Sequence, residues 1–169
     1  MGRDKCLVEL DGEPLWRRQM GILSAIADEV CFVAPERPAW CRTGMRWLKD
    51  AVPGQGPLGG LVSALENAAH EHVLLLAVDL PAITARFLEG LRTQSSATGG
   101  AVPIIDGLYQ PLSAIYPRSA RTAALARLSG ADKSLQPLLR ELVAGGKMRG
   151  VPVPREDRPL FRNLNTACD

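Results

Sequence analysis

The sequence has little of what several common enzyme classes need for their chemistry. Its 169 residues include two histidines, so histidine acid–base catalysis has little support. It contains no G-x-S-x-G motif, no H-E-x-x-H motif and no Walker-type loop ending in G-K-[ST]. These absences argue against a serine hydrolase, a zinc protease and a P-loop protein. The stretch His70-Glu71-His72 lies between a predicted helix and a predicted strand, which is more typical of a solvated connection than of a metal site.

Cysteines and long apolar runs are also scarce. The four cysteines, Cys6, Cys31, Cys41 and Cys168, include no pair with C-x-x-C spacing and have no histidine cluster beside them, which argues against a zinc site. They are typical of reduced, partly buried thiols in a cytosolic protein. The longest apolar run, 73–78, is far short of the ~20 residues of a membrane span, and the first residues do not resemble a signal peptide. We therefore expect a cytoplasmic protein without membrane contact.

Neither sign of charge is in clear excess. Lysine and arginine number 20 against 18 aspartates and glutamates, a formal charge of +2, which is too balanced to predict binding to nucleic acid or to an anionic membrane. Hydrophobic residues make up 46% and charged residues 22% of the sequence, as in soluble globular proteins. Since no repeat, low-complexity segment or linker divides the chain, we expect a single domain over residues 1–169.

Short apolar runs alternate with segments of helical period, a pattern that predicts an α/β fold with a mainly parallel sheet. The run 72–78 (HVLLLAV) does not alternate, as expected for a strand buried on both faces. The turn Asp106-Gly107 between apolar runs predicts a β-hairpin that elaborates the core. Further strands are predicted over 29–34, 45–48 and 148–153, the hairpin strands over 101–105 and 109–116, and helices over 57–69, 119–128 and 134–143.

Ligands of open α/β sheets bind at the carboxyl ends of the strands, and two aspartates stand there. Asp79 follows the strand 72–78 and could hold Mg²⁺, which prefers oxygen ligands; a strand-end cap is an equally good interpretation. Asp50 follows the strand 45–48, and a second acid at the same edge favours the functional interpretation. Near the start of the sequence, Lys5 could neutralise a phosphate, although most such lysines are only solvated.

Two further segments carry candidate binding residues. A loop that contains Gly56, Pro57, Leu58 and Gly59 leads into a helix N-terminus, where free N–H groups and the helix dipole favour anions. Its glycines allow a ligand to approach the backbone closely, and a tight turn with close helix packing explains them equally well.

The second segment is C-terminal. Asn163 and Asn165 stand at alternate positions, so their amides point to the same side of an extended chain. This arrangement suits recognition of a polar heterocycle, with an Asx-turn at a terminus as the alternative.

The ordered set of motifs resembles the molybdenum cofactor guanylyltransferases, within the wider nucleotidyltransferase superfamily. The matching segments are M-G-R-D-K, D-G-E-P-L-W, D-A-V-P-G-Q-G-P-L-G-G-L, V-D-L-P, Y-Q-P-L-S-A-I-Y and F-R-N-L-N-T. The resemblance implies a three-layer Rossmann-like fold and transfer of GMP from Mg·GTP to the terminal phosphate of molybdopterin, with release of pyrophosphate. GTP is then the nucleotide substrate, Mg²⁺ the cofactor and molybdopterin the acceptor. A molybdenum insertion protein or molybdoenzyme chaperones are the partner proteins that such a role would involve.

Site roles follow from the same resemblance. Lys5 matches the lysine that contacts the nucleotide phosphates, and Asp79 matches the acid that binds Mg²⁺, so these two are the expected catalytic residues. Asp50 and the loop from Gly56 to Gly59 match the region that holds guanosine. The two C-terminal asparagines match a pair on the pterin side of the pocket.

The sequence departs from the family pattern at its start. The pattern begins with an apolar strand and L-A-G-G-x-S-x-R before M-G-x-D-K, whereas this sequence begins with M-G-R-D-K. We therefore expect the first strand of the fold, which lies near the middle of the sheet, to be missing. Two alternatives stay open: a truncated, non-catalytic protein that keeps a nucleotide- or pterin-binding surface, and a related enzyme that uses CTP or a sugar phosphate.

Overall fold

Strands and helices alternate along the chain, as the sequence predicts. The computed structural model describes residues 5–50, 52 and 54–164. The helices are α1 (Leu15–Ser24), α2 (Gly56–Asn67), α3 (Ala85–Arg92), α4 (Arg121–Ser129) and α5 (Leu135–Ala144). The strands are β1 (Glu9–Leu10), β2 (Glu13–Pro14), β3 (Cys31–Ala34), β4 (Arg46–Lys49), β5 (His72–Leu76), β6 (Gly100–Ile105), β7 (Leu108–Tyr109), β8 (Ser113–Pro117) and β9 (Met148–Pro152). Short 3₁₀ turns cover Lys5–Leu7, Arg118–Ala120 and Arg155–Phe161. In these ranges no helix is long and apolar enough to cross a membrane.

The strands belong to separate sheets. β1 and β2 form a small antiparallel pair, and β3 and β4 form a parallel pair in which Phe32 lies opposite Trp47. β5, β8, β6 and β7 follow one another in a five-stranded sheet, and β9 joins it beside β6. There β8 runs antiparallel to β5 and β6, whereas β9 runs parallel to β6. The α/β class is confirmed. The sequence predicts a mainly parallel sheet, whereas the structure contains both parallel and antiparallel strand pairs. The antiparallel pairs with β5 and β6 arise because β8, which returns from the hairpin, lies between these two strands.

The predicted hairpin is present, with a shorter partner strand than expected. Asp106 and Gly107 join β6 to β7 and have φ values of +49° and +77°, the conformation that a two-residue hairpin turn requires. The predicted strand 109–116 is divided between β7 and β8. Pro111 lies at the break and has no N–H to donate to a strand ladder. Beyond it the chain pairs with β5 along the whole of β8 and with β6 at Ala101.

Helices cover both faces of the five-stranded sheet. Val73 and Leu75 of β5 pack in a cluster with residues of α2, α4 and α5, whereas Leu74 and Leu76 pack in a cluster with residues of α1 and α3. Successive side chains of a strand point to opposite faces, so the two clusters lie on opposite sides of the sheet. The three-layer arrangement that the resemblance implies is therefore observed.

The larger core lies between α2, α5 and the sheet. Leu61, Leu65 and Leu138 are fully buried there beside Tyr116 of β8, and burial of each apolar side chain stabilises the fold by roughly 1.5–3 kcal/mol. The Tyr116 hydroxyl donates a hydrogen bond to Pro111 O at 2.9 Å. Burial raises the pKa of the Tyr116 phenol well above its ordinary value, because the phenolate would be poorly solvated in this core.

Candidate active site

Helix α2 sets the geometry of the candidate site. Near its start Gly59 adjoins Asp50, which directly follows β4. At its end Asn67 O accepts a hydrogen bond from Arg46 Nη2, on the first residue of β4, at 3.2 Å. β4 and α2 therefore run in opposite directions, and β5 begins shortly after α2 ends, so β4 and β5 run in the same direction. Their carboxyl ends, followed by Asp50 and Asp79, lie at one edge.

The two expected catalytic residues form an ion pair. Lys5 Nζ lies 3.1 Å from Asp79 Oδ2, with the lysine side chain half exposed and the aspartate side chain 21% exposed. Lys5 lies in the first 3₁₀ turn and Asp79 follows β5, so the fold joins residues that are far apart in the chain. An exposed pair of this kind contributes only about 0.2–1 kcal/mol. Either charge can therefore turn to a ligand at little cost.

The donor set around Asp79 suits Mg²⁺ that is held largely by a nucleotide. In such sites Mg²⁺ is bound by one or two carboxylates together with phosphate oxygens and waters. In the part of the chain that the structure describes, no three His, Cys, Asp or Glu side chains are grouped as a complete protein cage would require. Asp79 can supply one carboxylate oxygen, and phosphate oxygens would have to supply others.

Asp50 is buried against the glycine-rich start of α2. It is 8% exposed, its Oδ1 accepts a hydrogen bond from Val52 N at 3.1 Å, and its own N–H donates to Ala34 O at 3.0 Å. A Cβ on Gly59 would lie 2.7 Å from Asp50 Oδ1 and 3.0 Å from Val52 O. No larger side chain fits there without a shift. Close packing, one of the two reasons offered for these glycines, therefore applies to Gly59.

The first turn of α2 offers backbone groups to a ligand. Gly54 and Gly56 have φ values of +84° and +59°, which glycine adopts without strain. Gln55 at the N-cap makes no capping hydrogen bond through its side chain, and Pro57 follows in the first turn. Leu58 is fully buried in the core and could meet a ligand only through its backbone. A helix start of this kind favours a bound anion.

The C-terminal segment reaches Asp79. Leu164 N donates a hydrogen bond to Asp79 O at 2.9 Å. The preceding residue, Asn163, is exposed, one position before the backbone contact with Asp79. Asn165 lies outside the described residues, and the structure therefore places only the first residue of the predicted asparagine pair.

Two residues of α1 that the sequence interpretation did not single out hold the loop after β5. Gln19 is 5% exposed and its Nε2 donates to Leu80 O at 2.8 Å. Arg18 Nε donates to Pro81 O, also at 2.8 Å. A signal was present in the sequence, because Gln19 is polar although it stands at helical spacing between the apolar residues Leu15 and Leu23.

Two of the described cysteines are shielded from reaction. Burial raises the pKa of the Cys31 thiol, which lowers its thiolate fraction and hence its reactivity. Cys41 is buried, and Cys168 lies outside the described residues.

Comparison of the sequence with known proteins identifies the family. The profile of the MobA-like NTP transferase domain matches residues 1–146. The chain is 37% identical over 173 residues to a probable molybdenum cofactor guanylyltransferase of Opitutus terrae. The alignment covers 100% of this chain and 86% of that protein. It is 30% identical over 152 residues to a molybdenum cofactor guanylyltransferase of Pseudomonas putida, with 85% of this chain and 78% of that protein covered.

A solved structure shares the fold. The chain superposes on molybdopterin-guanine dinucleotide biosynthesis protein A from Archaeoglobus fulgidus with a TM-score of 0.80 at 22% identity, covering 98% of this chain and 86% of that one. The predicted fold class and the family resemblance are both confirmed. This chain belongs to the MobA-like NTP transferase family, as a nucleotidyltransferase of the molybdenum cofactor guanylyltransferase type.

Proposed function

We propose that the protein transfers GMP from Mg·GTP to the terminal phosphate of molybdopterin and releases pyrophosphate. The observation that carries this proposal is the Lys5–Asp79 ion pair, at the carboxyl end of β5, while Asp50 at the carboxyl end of β4 adjoins the start of α2. A cation, a carboxylate suited to Mg²⁺ and a helix N-terminus are the groups that nucleotidyl transfer requires. The names of the relatives supply the nucleotide and acceptor classes.

The reaction needs positioning and charge stabilisation more than covalent catalysis. An oxygen of the molybdopterin phosphate attacks the α-phosphorus of GTP and forms a new P–O bond. The bond from the α-phosphorus to the oxygen of the β-phosphate breaks, and pyrophosphate leaves with the electron pair. The attacking phosphate is already ionised, so no general base is required. A protein with two histidines can therefore catalyse this reaction without histidine acid–base catalysis.

Lys5 and Asp79 have different roles toward the negatively charged phosphates of the nucleotide. The Lys5 ammonium contacts Asp79 Oδ2. When GTP binds, Lys5 turns to the phosphate oxygens and stabilises the charge that develops on them. The Asp79 carboxylate would hold Mg²⁺, which would supply positive charge to the phosphate oxygens. Arg18 and Gln19 keep the loop after Asp79 in place through their hydrogen bonds to its carbonyl groups.

Asp50 acts as a positioning residue for the guanosine site. Its carboxylate holds Val52 N and lies against Gly59, so it fixes the shape of the glycine-rich turn. Backbone groups from Gly56 to Gly59 then hold the guanosine, with Leu58 anchored in the core. The exposed amide of Asn163, together with Asn165, binds the polar edge of the pterin.

The test is a transfer assay with GTP labelled at its α-phosphate, Mg²⁺ and molybdopterin. We expect a labelled dinucleotide and one pyrophosphate for each dinucleotide formed. Labelled product with CTP, or with a sugar phosphate as acceptor, would replace the proposal by a related transferase. Tight GTP binding without any product would identify a non-catalytic nucleotide-binding protein.

A further inference from the structure

Two turns of the chain have the sequence Asp-Gly. Asp11-Gly12 joins β1 to β2, and Asp106-Gly107 joins β6 to β7. Both aspartates are exposed, and their φ values of +54° and +49° are nearly the same. The two turns differ in the contacts that hold them closed.

The turn at Asp106 is held by two other elements of the fold. Asp106 Oδ1 lies 2.9 Å from Arg158 Nη2, and Oδ2 accepts a hydrogen bond from Arg158 Nη1 at 3.3 Å. This bidentate contact fixes the orientation of the carboxylate. Gln136 of α5 bonds both backbone groups of Tyr109 in β7, and β6 belongs to the five-stranded sheet. Opening this turn therefore breaks several long-range contacts.

The turn at Asp11 has much less support. β1 and β2 have two residues each and form a sheet of their own, and an isolated two-stranded hairpin is only marginally stable. Among the described residues, none makes an ion pair or a hydrogen bond with the Asp11 side chain. We therefore expect this hairpin to open at a much lower free energy than the turn at Asp106.

An opened Asp-Gly pair can react with itself. Because glycine has no Cβ, the Gly12 nitrogen can approach Asp11 Cγ without obstruction. The nitrogen attacks the protonated carboxyl group and forms a C–N bond, and the amide proton leaves with the carboxyl hydroxyl group as water. The product is a cyclic succinimide.

Hydrolysis of the succinimide completes the isomerisation. Water adds to the main-chain carbonyl of Asp11, and the bond from that carbon to the Gly12 nitrogen breaks. The product is isoaspartate, in which the main chain passes through Cβ and Cγ and the α-carboxylate is free. One water leaves and one water enters, so the reaction needs no other reagent.

We propose that Asp11 is a modification site, at which the folded protein forms isoaspartate spontaneously, and that Asp106 is protected from the same reaction. The first half of the proposal rests on the weakly held β1–β2 hairpin and the second on the contacts of Arg158 and Gln136. The proposal does not depend on the proposed function, because neither the nucleotide nor its binding residues take part in the reaction.

The modification alters the part of the chain that carries Lys5. Isoaspartate adds a methylene group to the main chain of a two-residue turn, and the pairing of Leu10 with Glu13 depends on the length of that turn. Next to this pair, Leu15 N donates to Val8 O, and Val8 N donates to Lys5 O. Loss of the β1–β2 pairing therefore loosens the segment before α1.

The test incubates the full chain in heavy-oxygen water at mildly acidic pH. Hydrolysis of a succinimide in this solvent leaves one heavy oxygen in the peptide, which mass spectrometry detects after proteolysis, and electron-transfer fragmentation locates the isoaspartate. We expect label and isoaspartate to accumulate at Asp11 at least about tenfold faster than at Asp106. Equal rates at the two aspartates of the folded protein, or no isoaspartate at Asp11, would overturn the proposal.

Unfolding in urea separates the fold from the local sequence. When neither turn is folded, the two Asp-Gly pairs should react at rates that agree within about threefold. A tenfold preference for Asp11 that persists in urea would assign the difference to the neighbouring residues and overturn the structural argument.

Two variants complete the test. Arg158→Gln removes the bidentate contact and should raise the rate at Asp106 by roughly threefold or more, with the rate at Asp11 unchanged. No increase at Asp106 would overturn the protection assigned to Arg158. Asp11→Glu should show no label in the first turn, because the longer side chain has to close a larger ring. Label in that variant would mean that the oxygen enters by another route and would overturn the assignment to Asp11.

Hydrogen exchange gives the readout for the segment before α1. The isoaspartate form, separated by ion-exchange chromatography, should exchange its amide hydrogens roughly tenfold faster than the unmodified protein in residues 5–15. Residues 100–109 should exchange at the same rate in both forms. Unchanged exchange in residues 5–15 would overturn the effect on the Lys5 segment.

Discussion

Gly59 lies so close to the carboxylate of Asp50 that a Cβ at this position would stand 2.7 Å from Oδ1. The contact joins the start of α2 to the loop after β4, and the same oxygen accepts a hydrogen bond from Val52 N. The next glycine of the helix is different. A Cβ on Gly60 would meet only Val33 Cγ1, at an ordinary contact distance of 3.8 Å. Close packing therefore explains Gly59 and does not explain Gly60.

Gly59→Ala should destabilise the protein, and Gly60→Ala should not. The first change forces the Asp50 carboxylate or its loop to move, at a cost of about 1–3 kcal/mol in the free energy of unfolding. The second should be neutral or stabilise by up to about 1 kcal/mol, because alanine is preferred to glycine in a helix. Urea unfolding followed by circular dichroism measures both. Equal effects of the two changes would contradict the packing argument.

A double-mutant cycle identifies the clashing group. Asp50→Ala removes the atoms that the new methyl group would meet, so it should cost less in the Gly59→Ala background than in the native protein. We expect a coupling of at least about 0.5 kcal/mol between the two changes. Additive effects would show that the added methyl group is accommodated without displacing Asp50.

Asp79→Asn should abolish GMP transfer more than GTP binding. The change removes the charge that would hold Mg²⁺ on the nucleotide, and we expect a loss of roughly a hundredfold or more in the rate of transfer. Stability should change by less than about 1 kcal/mol, since the exposed pair with Lys5 contributes little. Asp106→Asn is the matched control, because Asp106 also pairs with an exposed cation, Arg158. Unchanged turnover in Asp79→Asn would remove this residue from the metal role.

Sequence patterns predicted the parts of the fold that depend on local composition. The apolar run that became β5, the helix α2 and the turn at Asp106-Gly107 are each determined by neighbouring residues, and each was found. The direction of β8 was not predictable in the same way. It depends on pairing with β5, over thirty residues earlier in the chain, and the local signal for the break at Pro111 was a single residue.

The residues of the candidate site also differ in how far the sequence could predict their roles. Asp50 and Asp79 could be placed at strand ends, and the topology brings those ends to one edge. The reason for Gly59 remained open in the sequence, because a glycine that admits a ligand and one that admits a carboxylate look alike. Gln19 could be seen as a polar residue in an apolar pattern, but its partner, the carbonyl of Leu80, becomes evident only in the folded chain.

Gln19→Leu should impair catalysis as well as stability. The change leaves Leu80 O without the side-chain donor that now satisfies it, at a cost of about 1–3 kcal/mol, and it loosens the loop after Asp79. Because a loosened loop holds the metal-binding carboxylate less firmly, the Mg²⁺ concentration at half-maximal transfer should rise. That concentration, measured in the assay proposed above, is the readout that a purely structural role would leave unchanged.

Gln136→Leu is the control for this prediction. Gln136 bonds both backbone groups of Tyr109, away from the nucleotide edge, so its loss should lower stability without altering the Mg²⁺ dependence of the folded enzyme. An equal shift of the Mg²⁺ dependence in both variants would argue against a positioning role for Gln19.

Tyr116→Phe should reduce the loss of stability at alkaline pH. Burial raises the pKa of this phenol above its ordinary 10.0, so below pH 10 it is protonated in the folded and the unfolded chain, and above pH 10 the unfolded chain loses the proton first. Stability from this group is therefore present below pH 10 and falls above it, by up to about 1.4 kcal/mol per pH unit.

At neutral pH the variant should be less stable, since the hydrogen bond to Pro111 O is lost, and the deficit should shrink between pH 10 and 11. Urea unfolding at each pH measures this, with Tyr109→Phe as the matched change at the other tyrosine. A constant difference between Tyr116→Phe and the native protein across that range would show that ionisation of Tyr116 is not coupled to unfolding.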